Sequence, residues 1–414
     1  MKEKMNSGFW EKNIILFLAS QNISIFGSSL VQYAIMWHIT LETQSGIMMT
    51  LSIVCAAIPT FIISPFAGVW ADRYNRKILM IGADASIALA TLILAILFLM
   101  GYDSIVLLFG ITAIRSFGSG IQSPAVGAFL PQIVKAEKLT KVNAVNGSLM
   151  STVTMVSPIL SGVLLSIATI EVIFFVDVIT AALAIIVLFF FVHAPVHHKA
   201  REKQVTGYFS DMRQGLGYIK EHPFILKYFI FLAIFFVLAA PVAFLTPLQV
   251  ARSFGSDVWR LTAIETAFSL GMILGGAIMA IWGGFSNKVY TMTFSCLLIG
   301  ATTAALGLTP FFWLYIIFMV LSGVAMPIFN TPATVLLQVN VEEDFLGRVF
   351  GILMMISSTM MPLGMVIFGP MSDAIKIEWI LLVTGVLIFI MAFSLSKNKA
   401  LLKAGKEGTN IRTQ

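Results

Sequence analysis

The sequence predicts an all-α membrane protein, with twelve transmembrane helices in two six-helix halves that run in the same direction. Three observations predict it. The 414 residues are 58% hydrophobic and only 11% charged, with a mean hydropathy of +0.94, whereas a soluble domain is about 25% charged. Twelve apolar runs are long enough to cross the roughly 30 Å of a bilayer's hydrocarbon. A partial internal repeat relates the first half of the chain to the second.

The runs are 13–38, 46–70, 78–101, 105–130, 141–167, 170–192, 224–248, 259–282, 289–308, 311–337, 350–372 and 378–396. Hydrocarbon offers no partner to backbone N–H and C=O groups, so each run is read as a helix that satisfies them internally. The first is too long for the core of a signal peptide and leads straight into further spans, so no cleavable signal is expected. The second ends at Gly68, where the missing side chain would let another helix approach closely. The fourth carries QSPAVGAFLP (122–131), a cytoplasmic loop and then Gly147; the tenth carries NTPATVLLQV (330–339), a loop and then Gly351. Between the sixth and seventh runs, Tyr208, Met212, Leu216 and Tyr218 or Ile219 fall near helical spacing, which predicts a short amphipathic helix on the membrane surface. The predicted organisation is therefore an N-terminal bundle 1–192, a cytoplasmic loop 193–223 with that helix, and a C-terminal bundle 224–414 with a short tail.

Basic residues set the orientation. With odd runs outward, even runs inward and both termini inside, 22 of the 26 Lys and Arg residues fall on the cytoplasmic side. Only Arg252, Arg260 and Lys376 are external, and Arg115 lies inside a span. That asymmetry follows the positive-inside rule. The net charge of +6 is thus read as basic loops facing anionic lipid rather than nucleic acid, and no aromatic–basic interleaving suits bases. Cys55 and Cys296 sit in apolar runs without metal-ligand spacing and are read as small packing residues. His193, His197 and His198 are read as part of a solvated linker, because no further His or Cys stands nearby to complete a metal site. No metal or cofactor is expected.

The stretch GVWADRYNRK (68–77) places Asp72, Arg73, Arg76 and Lys77 between the second and third spans. Four charges so close together belong at a surface, and three basic ones mark the cytoplasmic side. The stretch resembles the signature of the major facilitator superfamily, Gly-x-x-x-Asp-Arg-x-Gly-Arg-Lys. Asn75 replaces the second glycine; Asn tolerates positive φ, which would preserve the turn. WGGFSNK (282–288) is its partial counterpart in the second half, with Lys288 but no acid. The opening QNISIFGSSLVQYAIMWHIT, AGVWADRYNRK, IGAD, RSFGSGIQSPA and LGRVFG resemble the macrolide-efflux proteins of the drug–proton antiporter branch. The resemblance implies the major facilitator fold. It also implies an inner gate in which Asp72 meets the positively polarised amino terminus of span eleven near Arg348, with Gly68, Arg73, Arg76 and Lys77 around it; ordinary loop capping is the alternative.

Ionisable residues within spans each cost about 2.5–3.5 kcal/mol on insertion scales and mark function by default. Arg115 resembles the family's mid-membrane arginine associated with proton coupling; otherwise it staples helices through backbone carbonyls. Asp84, near the inner entry of span three, either pairs with Arg76 or Lys77 or takes part in coupling. Asp177 and Glu265 lie deeper. Desolvation there favours a neutral, protonated carboxyl, as a proton carrier requires, and polar helix contacts are the other reading. The sequence does not choose between them. Gly147, Pro158 and Gly162 in span five resemble the antiporter motif, with Ser157 in place of the glycine before proline; close packing of a kinked helix is the alternative.

Family architecture implies a central cavity lined by spans one, four, seven and ten. These offer Gln21, Asn22, Gln32, Gln122, Phe235, Phe236, Phe244, Met326, Phe329 and Asn330. Few charges and many Met and Phe residues suit a bulky, mostly apolar solute. The expected function is a bacterial inner-membrane exporter, proton-driven, monomeric, embedded in lipid and acting on drug-like molecules. An exporter of an endogenous siderophore or lipid-like compound is the runner-up. An ATP-driven pump or membrane enzyme lacks its Gly-x-x-x-x-Gly-Lys-[Ser/Thr] or His-Glu-x-x-His stretch. A sensor on a transporter scaffold is disfavoured by the intact loop and Arg115.

Overall fold

The computed structural model describes residues 2–193 and 208–410. His197, His198 and the side chain of Asp72 lie outside the described set. The described residues are almost wholly helical: α1 (Lys2–Thr43), α2 (Gly46–Arg73), α3 (Arg76–Leu99), α4 (Ile105–Ile133), α5 (Ala136–Ile167), α6 (Ile170–Ile186), α7 (Tyr208–Glu221), α8 (Pro223–Phe244), α9 (Thr246–Ser253), α10 (Val258–Trp282), α11 (Lys288–Leu308), α12 (Phe312–Asn340), α13 (Glu343–Ala374), α14 (Ile377–Lys397) and α15 (Lys399–Asn410). Among the described residues, twelve stretches are long and apolar enough to cross a membrane, with α8 and α9 forming one crossing, Pro223–Ser253. The break inside that crossing was not visible in its unbroken apolar run. Its cause is local: Pro241 lies inside α8 and Pro247 opens α9, so two backbone donors are missing where the helix restarts.

Two asparagines start equivalent helices in the two halves. The Asn75 side chain accepts from Lys77 N at 3.0 Å and caps α3, and Asn287 accepts from Val289 N at 3.0 Å and caps α11. Asn75 has φ −65°, so the loop keeps its turn by capping and not by the left-handed conformation the sequence suggested. No close helix approach occurs at Gly68 either: a Cβ there would meet nothing within 4 Å.

The chain divides into two compact units, Met1–Ile39 with Leu51–Lys203, and Thr40–Thr50 with Gln204–Gln414. In the first, the Phe17 and Phe129 rings meet at a tilt of 43°, centroids 4.9 Å apart, in a core that includes Met80, Leu130 and Leu188. The end of α6 widens into a π-helical turn, Val187–Phe191. Asn13 pins the residue beyond it, donating to His193 O and accepting from His193 N, both at 2.8 Å. In the second unit, Phe235 and Phe329 stack at 4.7 Å in a core that includes Tyr228, Met292 and Leu337. α11 and α14 meet backbone to backbone: a Cβ on Gly385 would strike Ala304 N, and one on Gly300 would strike Phe389 N. Tyr218 of α7 stacks on Phe345 of α13 at 4.3 Å, and Asn287 Nδ2 ties α15 by donating to Leu402 O at 2.9 Å.

Candidate functional site

Buried polar groups in the first unit form a ladder of two rungs on α1, α3, α4 and α6. In one rung, Ser24 Oγ donates to Asp84 Oδ1 at 2.8 Å and Gln122 Nε2 donates to the same oxygen at 2.6 Å. In the other, Arg115 donates to Asp177 Oδ2 and to Thr91 Oγ1, and reaches Ser28 O at 3.2 Å. Ser28 Oγ donates to Asp177 Oδ1 at 3.1 Å, and Thr91 Oγ1 donates to Asp177 Oδ2 at 2.9 Å. The register explains the rungs. Asp84 and Thr91 are seven residues apart on α3, and Arg115 and Gln122 are seven apart on α4. Seven residues are close to two helical turns, so the antiparallel pair aligns Asp84 with Gln122 and Thr91 with Arg115. Ser24 and Ser28, one turn apart on α1, face the two rungs.

The two acids are held differently. Asp177 is fully buried beside a cation, with Arg115 only 7% exposed. A charge pair so buried is strongly destabilised when one partner is lost. Asp84 is 1% exposed and makes no ion pair among the described residues. Its Oδ1 takes both donors, while Oδ2 has no partner among the described residues; both amide atoms of the buried Gln21 are equally unpartnered. The expected pairing of Asp84 with the loop does not occur. Arg76 donates to Ala71 O at 2.8 Å and Ala128 O at 2.7 Å, and Lys77 Nζ to Phe189 O at 2.9 Å and Val192 O at 2.8 Å. Backbone carbonyls at nearby helix ends lie within easier reach of these cations than a carboxyl inside the bundle.

The remaining candidates are scattered. Arg73 is exposed, and Arg348 stacks 5.3 Å above the Phe345 ring. Glu265, half-buried on α10, shares no rung with the acids of the first unit. In α5, Pro158 and Gly162 lie on the buried half, where Ser161 Oγ donates to Leu30 O of α1 at 3.0 Å; Gly147 is exposed, with open space around it. Of the proposed cavity residues, Gln21, Asn22 and Gln122 are buried, Phe236, Phe244 and Met326 half-buried, and Gln32 and Asn330 exposed. Phe235 and Phe329 are packed against each other, so as they stand they offer no surface to a solute.

Sequence reasoning missed Ser24, Ser28 and Thr91, because hydroxyls are ordinary in membrane helices. It also passed over Asp373 and Arg252, which pair at 2.7 Å. The signal was present: Gly369-Pro-Met-Ser-Asp373 repeats the spacing of Gly68-Val-Trp-Ala-Asp72.

Comparison with known proteins follows the fold. The family model described as Major Facilitator Superfamily matches residues 14–365 and 242–402. The chain is 26% identical over 392 residues to macrolide efflux protein A of Streptococcus pyogenes, covering 94% of this chain and 96% of the relative. It is 23% identical to the enterobactin exporter of Shigella boydii, covering 95% and 97%. A crystal structure of a mutant of the nucleoside transporter NupG superposes with a TM-score of 0.69 at 14% identity, covering 93% of this chain and 98% of that one; that likeness is one of fold.

Proposed function

The chain belongs to the Major Facilitator Superfamily, and from that premise we propose that it is a secondary active exporter. It exchanges protons for hydrophobic or amphipathic drugs, macrolides among them, across the inner membrane of a bacterium. Alternating access of the two halves carries the solute, the chain works as a monomer in the bilayer, and both termini are cytoplasmic. The observation that carries this reading is the two-rung ladder. One rung holds an acid beside a permanent cation, because Arg stays protonated. The other holds an acid with donors on one oxygen only, the pattern of a neutral carboxyl whose second oxygen carries a proton.

Asp84 is therefore assigned the exchangeable proton. Arg115 and Asp177 form the fixed charge pair beneath it, and Glu265 is a second carrier candidate in the other half. Gln21, buried without a partner among the described residues three positions before Ser24 on α1, is a place for a solute's polar group. Gln32, Gln122, Asn22, Phe236, Phe244, Met326 and Asn330 remain the proposed lining, and Phe235 and Phe329 join it only if their stack opens. Asp72 closes the inner side by capping α13 during the cycle. One charge moving through 100 mV supplies about 2.3 kcal/mol, enough for a concentration ratio of several tens.

The test is drug uptake into everted vesicles driven by an imposed pH gradient. A protonophore is expected to stop it, and Asp84→Asn to lower gradient-driven uptake at least roughly tenfold while binding persists, since Asn can mimic the neutral acid. Uptake unchanged after collapse of the gradient removes proton coupling. Likeness to the enterobactin exporter favours one second reading, export of an endogenous siderophore. Unaltered macrolide susceptibility with impaired growth in low iron would select it.

A further inference from the structure

A polar cluster in the second unit holds the short turn between α1 and α2. That turn, within Thr40–Thr50, groups with the second unit. Among the described residues, Gln44 is the non-glycine residue with positive φ, at 45°, a conformation that persists only where surroundings impose it. Arg252 imposes it: the guanidinium donates from Nε to Gln44 O at 3.0 Å and from a second nitrogen to the same carbonyl. It also donates to Ser372 O at 2.6 Å and to Asp373 Oδ1 at 2.7 Å.

Asp373 then caps a helix that is not its own. Its carboxylate accepts from Gly46 N at 2.7 Å, Ile47 N at 3.0 Å and Ser45 Oγ at 2.8 Å. The two backbone N–H groups are first-turn donors of α2, which no residue of that helix can satisfy. The backbones meet here as well: a Cβ on Gly46 would strike Gly369 O, and one on Gly369 would strike Thr50 Oγ1.

We infer that Asp373 and Arg252 form a releasable latch for the outer side, gripping the amino end of α2 in one state and freeing it in the other. The inference rests on the transport reading above. Three features make the grip releasable. Its bonds are polar, so water can replace each one. Its backbone conformation at Gln44 relaxes when Arg252 leaves. Arg252 also lines a cavity of about 580 Å³ with Gln249, Lys376, Glu378 and Trp379, which gives water a route to the guanidinium. The sequence repeats the spacing: α2 and α13 each end in Gly-x-x-x-Asp.

The experiment uses the full chain with Cys55 and Cys296 replaced and a reporter Thr50→Cys, a position 7% exposed beneath the grip. A membrane-impermeant maleimide added outside is expected to label it roughly tenfold faster in Asp373→Asn, and at close to the parent rate in Asp373→Glu; a tenfold shift is within the range of helix-end acids and charge-assisted bonds. A separate Ser45→Cys/Asp373→Cys protein, joined by a short bifunctional thiol reagent with a cleavable link, is expected to lose drug efflux and regain it on cleavage. Equal labelling of parent and Asp373→Asn, or full efflux by the joined protein, overturns the latch. If Asp373→Asn fails to fold, the joined pair decides. If no tested drug is moved by the parent, labelling still decides, because it needs no substrate.

Discussion

At the scale of single residues, the ladder separates two roles that the sequence left tangled. Arg115, Asp84 and Asp177 stood out because charges inside spans are rare. What the sequence could not supply was the register that sorts them. That register comes from the α3–α4 pairing, and its neutral members, Ser24, Ser28, Thr91 and Gln122, leave no mark in a hydropathy reading. The sorting has a measurable consequence. Breaking the buried pair by Arg115→Gln or Asp177→Asn should cost about 3–5 kcal/mol, seen as a lower thermal unfolding midpoint in detergent. The double variant should recover more than half of that loss, because it leaves no charge alone in the core. Asp84→Asn should change stability by much less, since its Oδ1 still accepts from Ser24 and Gln122.

At the scale of elements, the helices were legible because crossing the hydrocarbon demands length and apolarity, and these can be counted. Their ends were less so. The sequence marked Asn75 as a departure from a glycine, and the helix it starts gives the physical reason: a side-chain oxygen does at the amino end what a flexible backbone would do in the turn. Asn287 does the same in the second half. Asn75→Ala and Asn287→Ala should each cost about 1 kcal/mol, and the double variant about their sum, the sites being independent; chemical denaturation of purified protein measures both. Packing between elements is less forgiving. Gly300→Leu would drive a side chain into the α14 backbone at Phe389, where nothing flexible can yield. Its folded yield by size-exclusion chromatography should fall to near zero, while Gly127→Ala, facing open space, should behave as the parent.

At the scale of the molecule, the two-fold plan was visible in fragments: QSPAVGAFLP against NTPATVLLQV, and the basic loop against WGGFSNK. The matching caps of α3 and α11 are the same repeat written in hydrogen bonds. The turn that groups with the second unit was not visible, because its grip joins residues more than two hundred positions apart. One small irregularity shapes the end of α6. The coil at Val187–Phe191 is a residue wider than its neighbours, and the Lys77 ammonium sits across its carbonyls at Phe189 and Val192. Removing Phe190 would tighten that coil to an ordinary one and turn Val192 and His193 by about 100° about the helix axis. Lys77 would then be stripped of its anchor at Val192, and Asn13 would no longer stand opposite His193.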